Sequence, residues 1–216
     1  SIASLTKLMT AWVVSENTQP GDTITVSRNA AAAEGEHGKL VSDEQMSAKD
    51  LLSVMLIPSS NDAAVAFQDY FRSSGKNLIT LMNEKAEVLE LRNTHFTNPA
   101  GFDGADHYSS SFDLAKIISA MREKKDIWEI TTTREITAQS LDGGRAHHLI
   151  NTNDLLMIRD DILGGKTGFT PQAKGCLALV LRLHDKEYIF VVLGSENRFD
   201  DMQNLVEWVS KAFIFE

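Results

Sequence analysis

Three short stretches of this chain carry side chains suited to acyl transfer: Ser4-Leu5-Thr6-Lys7, Ser59-Ser60-Asn61 and Lys166-Thr167-Gly168. A serine hydroxyl is a poor nucleophile until a base takes its proton, and no His-Asp pair is placed to help. Lys7 is the candidate base. Side chains three apart on a helix project from adjacent turns, so Ser4 and Lys7 are neighbours. To accept a proton near pH 7, Lys7 must have a pKa well below the ordinary ~10.4. Burial pushes that way, and so does a nearby cation, which Lys166 would supply.

None of the three patterns is informative alone. At average residue usage a chain of this length contains about one Ser-x-x-Lys by accident. A second match, Ser73-Ser74-Gly75-Lys76, is interrupted by a helix-breaking glycine, so its Ser and Lys need not share a face. Ser-x-Asn recurs at Ser15-Glu16-Asn17 and Ser195-Glu196-Asn197, whereas only Ser59 stands between two apolar helical patterns. Lys-Thr-Gly occurs once. The signal lies in order and setting.

The elements that must position these residues follow from periodicity. Leu5, Leu8, Met9, Trp12 and Val13 form an apolar stripe that predicts a helix over 4–17, with Ser4 at its N-terminal end. Pro20-Gly21 makes a turn and Thr23-Ile24-Thr25-Val26 a short strand. Ser47-Ala48-Lys49-Asp50 reads as a capping box with Asp in place of Glu, opening a helix that Pro58 stops. A new helix starts near Ser60 to Asp62, which leaves Ser59 in a link held from both sides. Further helices over 78–91 and 111–123 flank a polar, Gly-rich loop from Asn98 to Ser110. From Arg134 the texture turns to β, with a strand over 135–138, a turn at Asp142-Gly143-Gly144, and runs 176–183 and 188–193. Those last two flank His184-Asp185-Lys186-Glu187 as a hairpin. An amphipathic helix closes the chain from Met202 to Phe213. The expected architecture is α+β: one domain, 1–216, with an antiparallel sheet flanked by helices and a helical lobe of about 30–130.

Composition narrows the class. The 216 residues are 43% hydrophobic and 24% charged, ordinary for a soluble globular domain with a sizeable core. With 21 basic and 30 acidic residues the net charge is −9, spread along the chain. No basic stripe exists to neutralise phosphates, which argues against nucleic acid as a partner. No run reaches the length of a membrane span. A single Cys176 excludes an internal disulfide framework and, in its apolar run, reads as a buried inert thiol. His147 and His148 point to opposite faces if they lie on a strand, and nothing nearby completes a metal site, so neither metal nor other cofactor is expected. His107 is expected at a site rim or the surface, and Trp12, Trp128 and Trp208 in the core. Glu34-Gly35-Glu36-His37-Gly38 reads as a solvated loop near the cleft. Beginning at Ser1 with neither initiator Met nor signal peptide, the sequence reads as a fragment or a processed form.

The residues around the three motifs sharpen the picture. Ile2-Ala3-Ser4-Leu5-Thr6-Lys7-Leu8-Met9-Thr10, Pro58-Ser59-Ser60-Asn61-Asp62-Ala63-Ala64 and Gly165-Lys166-Thr167-Gly168-Phe169-Thr170 resemble the low-molecular-mass penicillin-binding proteins. These are the D-alanyl-D-alanine carboxypeptidases and endopeptidases of peptidase family S11. Phe96-Thr97-Asn98-Pro99-Ala100-Gly101-Phe102-Asp103 with His107-Tyr108-Ser109 resembles a loop near that family's active site, and Gly194 to Asp200 its link into the final helix. The likeness covers essentially the whole chain and implies a fold shared with serine β-lactamases.

It also implies roles. Ser4 would form an acyl-enzyme with D-Ala-D-Ala stem peptides of peptidoglycan, and β-lactams would trap it. Ser59 would relay the proton to the leaving group, and Asn61 would orient Lys7 and the substrate amide. The backbone N–H groups of Ser4 and Phe169 would form an oxyanion hole, beside Gly168. Thr167 and Arg198 would hold the substrate's terminal carboxylate as a charge-assisted pair. The implied location is periplasmic or extracellular. Members usually carry thirty or more residues before the first motif, supplying a strand that this sequence lacks. Many also carry a β-rich second domain and an amphipathic anchor, and membrane association is expected only through such segments. Two other readings stay open: a class A-like β-lactamase, for which Glu90-Leu91-Arg92-Asn93 is the nearest text to a deacylating loop, and a non-catalytic β-lactam or peptidoglycan sensor.

Overall fold

A 3-10 turn, Ala3–Leu5, runs directly into helix α1 (Thr6–Asn17). Every side chain from Thr6 to Val14 is buried, so the expected stripe is in fact a helix enclosed on all sides. In the computed structural model, which describes residues 1–35 and 38–212, strand β1 (Thr23–Thr25) pairs antiparallel with β2 (Gln45–Ser47) around the short α2 (Arg28–Ala31). Ser47 then caps α3 (Ala48–Leu56), its Oγ accepting from Asp50 N at 3.0 Å. This is the capping pattern legible in the sequence. Across the link 57–60, α4 (Asn61–Ser73) begins with Ser60 Oγ accepting from Ala63 N. Next come α5 (Leu78–Val88), α6 (Ser111–Ala120) and α7 (Lys125–Thr132).

No expectation covered α7. It is short and rich in β-branched residues, which weakens any local helix signal. Tertiary packing supplies what propensity does not: Trp128 lies so close beneath Gly164 that a Cβ there would meet its ring at 2.2 Å.

Strands β3 (Glu135–Gln139) and β4 (Ala146–Ile150) form a hairpin, and β5 (Ile162–Thr170), β6 (Lys174–Leu183) and β7 (Lys186–Ser195) form an antiparallel sheet in that order. The period-2 alternation of β6 divides the interior in two. Cys176, Ala178 and Val180 face the large core that contains α1, while Leu177, Leu179, Leu181 and Leu183 face a second core. Helix α8 (Arg198–Ala212) seals that second core with Met202 and Val206. Burial on both faces explains why β6 reads as a continuous apolar run. Burial also raises the Cys176 thiol above its ordinary pKa.

Some expectations shift. The β6–β7 turn is only His184-Asp185, both with positive φ (49° and 60°), so Lys186 and Glu187 already belong to β7. Two left-handed residues give the tight turn whose twist suits a hairpin. Trp208, expected in the core, is 59% exposed, because it lies off the stripe defined by Met202 and Val206. Trp12 and Trp128 are buried. Phe213, at the expected end of the last helix, and Glu36 and His37 lie outside the described residues. Among the described residues no helix is long and apolar enough to cross a membrane.

Candidate active site

Ser4 owes its position to the 3-10 turn rather than to the regular helix. Ala3, just before it, adopts φ +47°, a left-handed conformation unusual for a residue with a Cβ. Two glycines let neighbouring backbone press against this turn. A Cβ on Gly101 (φ +94°) would lie 2.0 Å from Ala3 O, and one on Gly168 would lie 2.9 Å from Ser4 N. The Gly168 contact brings strand β5 against the Ser4 amide.

Lys7 is fully buried, and its ammonium group meets three oxygens: Ser4 Oγ at 2.8 Å, Asn61 Oδ1 at 2.7 Å and Ala100 O at 2.8 Å. A buried amine needs such partners. Asn61 cannot turn its amide over, because Nδ2 donates to Glu34 O at 2.8 Å. Asn61 Oδ1 and Ala100 O can therefore only accept. In the neutral amine two N–H groups go to those acceptors, and the lone pair is left facing the Ser4 hydroxyl.

The second pair lies opposite. Lys166 Nζ donates to Ser59 Oγ at 2.8 Å and to Thr167 O at 3.1 Å. Ser59, in the link between α3 and α4, has φ +65°. Such strain persists only where the surroundings over-determine it, and it concentrates at functional sites. Ser60 and Asp62 anchor the neighbouring loop. Gly38 N donates to Ser60 Oγ and Asp62 Oδ1, and Leu40 N donates to Asp62 Oδ2. Thr167 Oγ1 bonds Thr152 Oγ1, and Arg198 Nη1 donates to Gly168 O at 3.1 Å. Thr167 lies on strand β5, and the Gly168 contact ties Arg198 to the same strand.

A cavity of about 430 Å³ opens over Ser4, lined among others by Glu34, Asn61, Gly101, Asp103 and Phe169. A larger one, about 520 Å³, is lined by Gly38, Pro58 and residues 144–149 and does not include the Ser-Lys pair. Of the nine candidate residues, Ser4, Asn61 and Phe169 line the cavity over Ser4; Lys7 bonds Ser4 and Asn61, Lys166 bonds Ser59 and the Thr167 carbonyl, Arg198 bonds the Gly168 carbonyl, and Gly168 packs against Ser4 N. The decoys stay apart: Ser73 ends α4 in the open, and Lys76 bonds Asn17 instead.

The loop over 96–103, which resembles one near the family's active site, does contribute a contact to Lys7, but not through a side chain. Ala100 acts through its carbonyl, which no side chain announces. The loop presenting it is organised by Asn98, whose Oδ1 accepts from Ala100 N, Gly101 N and Phe102 N at 2.7–3.2 Å; the Asn-x-x-Gly text was the available hint. His107 departs from expectation, being neither at the rim nor on the surface but 1% exposed, because residues 95–98 and α1 close over it. His147 is buried, with Nε2 on Glu44 Oε1 at 2.6 Å and Nδ1 on Gly38 O at 3.0 Å, while His148 points outward.

Helices packed on an antiparallel sheet, with a Ser-Lys pair and a Lys-Thr-Gly strand across one groove, place the chain in the α+β fold class of the penicillin-binding DD-peptidases. The chain belongs to peptidase family S11, D-alanyl-D-alanine carboxypeptidase, whose family model matches residues 1–197. It is 32% identical over 98% of its length to the D-alanyl-D-alanine carboxypeptidase DacF of Bacillus subtilis (strain 168), of which it spans 55%. Against the D-alanyl-D-alanine endopeptidase of Escherichia coli (strain K12) it is also 32% identical, over 96% of its length and 69% of that protein. The crystal structure of the Streptomyces K15 DD-transpeptidase superimposes with a TM-score of 0.90 at 29% identity, covering 99% of this chain and 88% of that one.

Proposed function

We propose that this chain is the catalytic domain, 1–216, of a serine D,D-peptidase that cleaves D-Ala-D-Ala peptides of peptidoglycan through an acyl-enzyme on Ser4. The observation that carries this reading is the Lys7 Nζ to Ser4 Oγ contact at 2.8 Å, in a setting that aims the neutral amine's lone pair at the hydroxyl. Lys7 takes the hydroxyl proton as Oγ attacks the penultimate D-Ala carbonyl. The developing oxyanion lies against the N–H groups of Ser4 and Phe169, where preorganised donors are most effective. Ser59, held by Lys166, relays a proton: it gives its hydroxyl proton to the departing D-Ala amine and takes one from the Lys7 ammonium, which returns to the neutral amine. Thr167 and Arg198 bind the terminal carboxylate. Water then attacks the acyl carbonyl as neutral Lys7 takes its proton, and Lys7 returns that proton to Ser4 Oγ as the ester bond breaks. A β-lactam enters as a mimic of the same carbonyl and carboxylate.

The setting for this chemistry is the periplasm or cell exterior, where peptidoglycan lies. Family membership, the Ser-Lys geometry and the likeness to the Streptomyces enzyme support the reading. Glu90, nearest in text to a β-lactamase deacylating glutamate, sits exposed in the turn after α5 and does not line the Ser4 cavity. Labelling with a fluorescent penicillin tests the nucleophile: Ser4→Ala abolishes the adduct without unfolding the chain, and undiminished labelling ends the assignment. D-Ala release from diacetyl-Lys-D-Ala-D-Ala separates a peptidase from a sensor. Fast nitrocefin turnover in place of a stable adduct identifies a β-lactamase.

A further inference from the structure

His107 carries a proton arrangement that its neighbours fix completely. At Nδ1 the ring meets donors, Thr97 N–H at 3.1 Å and the Asn98 amide Nδ2 at 3.4 Å, with the Thr97 hydroxyl also at 3.4 Å. A backbone N–H can only donate, so Nδ1 holds a lone pair and the ring proton sits on Nε2. Nε2 lies 2.8 Å from Thr6 Oγ1 and donates to it. Thr6 then spends its one hydroxyl proton on Ala3 O, at 2.9 Å. The chain of donors runs one way: Thr97 to His107, His107 to Thr6, Thr6 to Ala3.

Its end point is the left-handed Ala3, φ +47°, immediately before Ser4. A non-glycine residue in that region costs of order 1 kcal/mol or more and stays there only when held. We propose that His107 is a positioning residue. As the neutral Nε2–H tautomer it clamps the Ala3 carbonyl through Thr6, and so sets where Ser4 Oγ stands relative to Lys7. This inference rests on the reading of Ser4 as the nucleophile.

The surroundings keep the ring neutral. Burial is the main cause that pushes His107 down to about 4; the Ser1 amino group and His95 act in the same sense, and Asp103 opposes them. Helix α1 offers Thr6 as its polar contact, and the 95–98 segment offers two groups that can only donate at Nδ1, the Thr97 N–H and the Asn98 amide nitrogen, beside the Thr97 hydroxyl. A second ring proton would point at the Thr97 N–H.

Two substitutions separate the halves of the clamp. The amide nitrogen of a glutamine falls near a histidine Nε2, and the amide of an asparagine near Nδ1. The readout is the acylation of Ser4 by a penicillin at pH 7, resolved into its noncovalent binding constant and its first-order acylation step. His107→Gln is expected to acylate within about threefold of wild type, and His107→Asn to lose about tenfold or more in the acylation step alone, the size of a lost hydrogen bond of ~1.4 kcal/mol. Equal rates for both variants, or equal losses that track a fall in Tm, overturn the proposal. Nitrogen NMR of the wild-type ring supplies a readout independent of folding variants: an Nδ1–H tautomer, or titration near pH 6.5, overturns it as well. The NMR result stands even if no penicillin labels the protein, so failure of the nucleophile reading is distinguishable from failure of the clamp.

Discussion

Asn61 Nδ2 donates to the Glu34 carbonyl at 2.8 Å, and that bond decides which face of the amide Lys7 meets. With Oδ1 turned inward at 2.7 Å from Nζ, the lysine meets an uncharged acceptor there rather than an amide N–H.

Asn61→Asp tests this relationship. The carboxylate cannot donate to Glu34 O, and it sets an anion beside Lys7, favouring the ammonium form. The lysine pKa rises, so the acid limb of the acylation rate moves to higher pH. The rate at pH 7 then falls about tenfold for each pH unit that the limb moves. A pH–rate profile with a penicillin measures it. In the wild type, activity that appears only above about pH 9 excludes Lys7 as the base.

Gly101→Ala is expected to be among the most damaging single-methyl changes. The position combines φ +94° with a Cβ that would sit 2.0 Å from Ala3 O, a backbone atom with nowhere to go. Left-handed strain and displacement of the Ala3 turn together cost about 2 kcal/mol or more. Denaturant unfolding gives the loss, and penicillin labelling shows whether Ser4 remains in place.

Arg198→Gln removes the charge offered to the substrate carboxylate while leaving a hydrogen-bonding side chain near Gly168 O. A charge-assisted bond of ~1.5–3 kcal/mol corresponds to a fall in kcat/KM of about 10- to 150-fold. Steady-state D-Ala release from an acetylated tripeptide reads it. The same substitution should scarcely change cleavage of an ester substrate that lacks the carboxylate.

His107 gives a pH dependence of stability with a definite sign. Its pKa is depressed to about 4 from 6.5, so between those values the unfolded chain binds a proton that the folded chain does not. Stability from this group is complete above pH 6.5 and is lost as pH falls to about 4, roughly 3 kcal/mol in all. Unfolding free energies at pH 7 and pH 4.5 compared between wild type and His107→Gln isolate it; parallel profiles refute the buried neutral ring.

Sequence alone determined the parts whose cause is local. Ser47 caps its helix because the N-terminal turn needs an acceptor, a new helix starts at Ser60 to Asp62, Pro58 ends α3, and the apolar run over 176–183 is a strand. Ser4 and Lys7, three residues apart, are neighbours because a 3-10 turn runs directly into α1. Contacts between distant segments were decided only by tertiary structure. The Ala100 carbonyl at Lys7, Glu34 fixing Asn61, Thr152 on Thr167, and the burial of His107 involve backbone groups or partners far apart in the chain. Residue types do not encode where a loop's carbonyls end up. The same holds for α7, whose weak local preference yields to the Trp128 contact with Gly164.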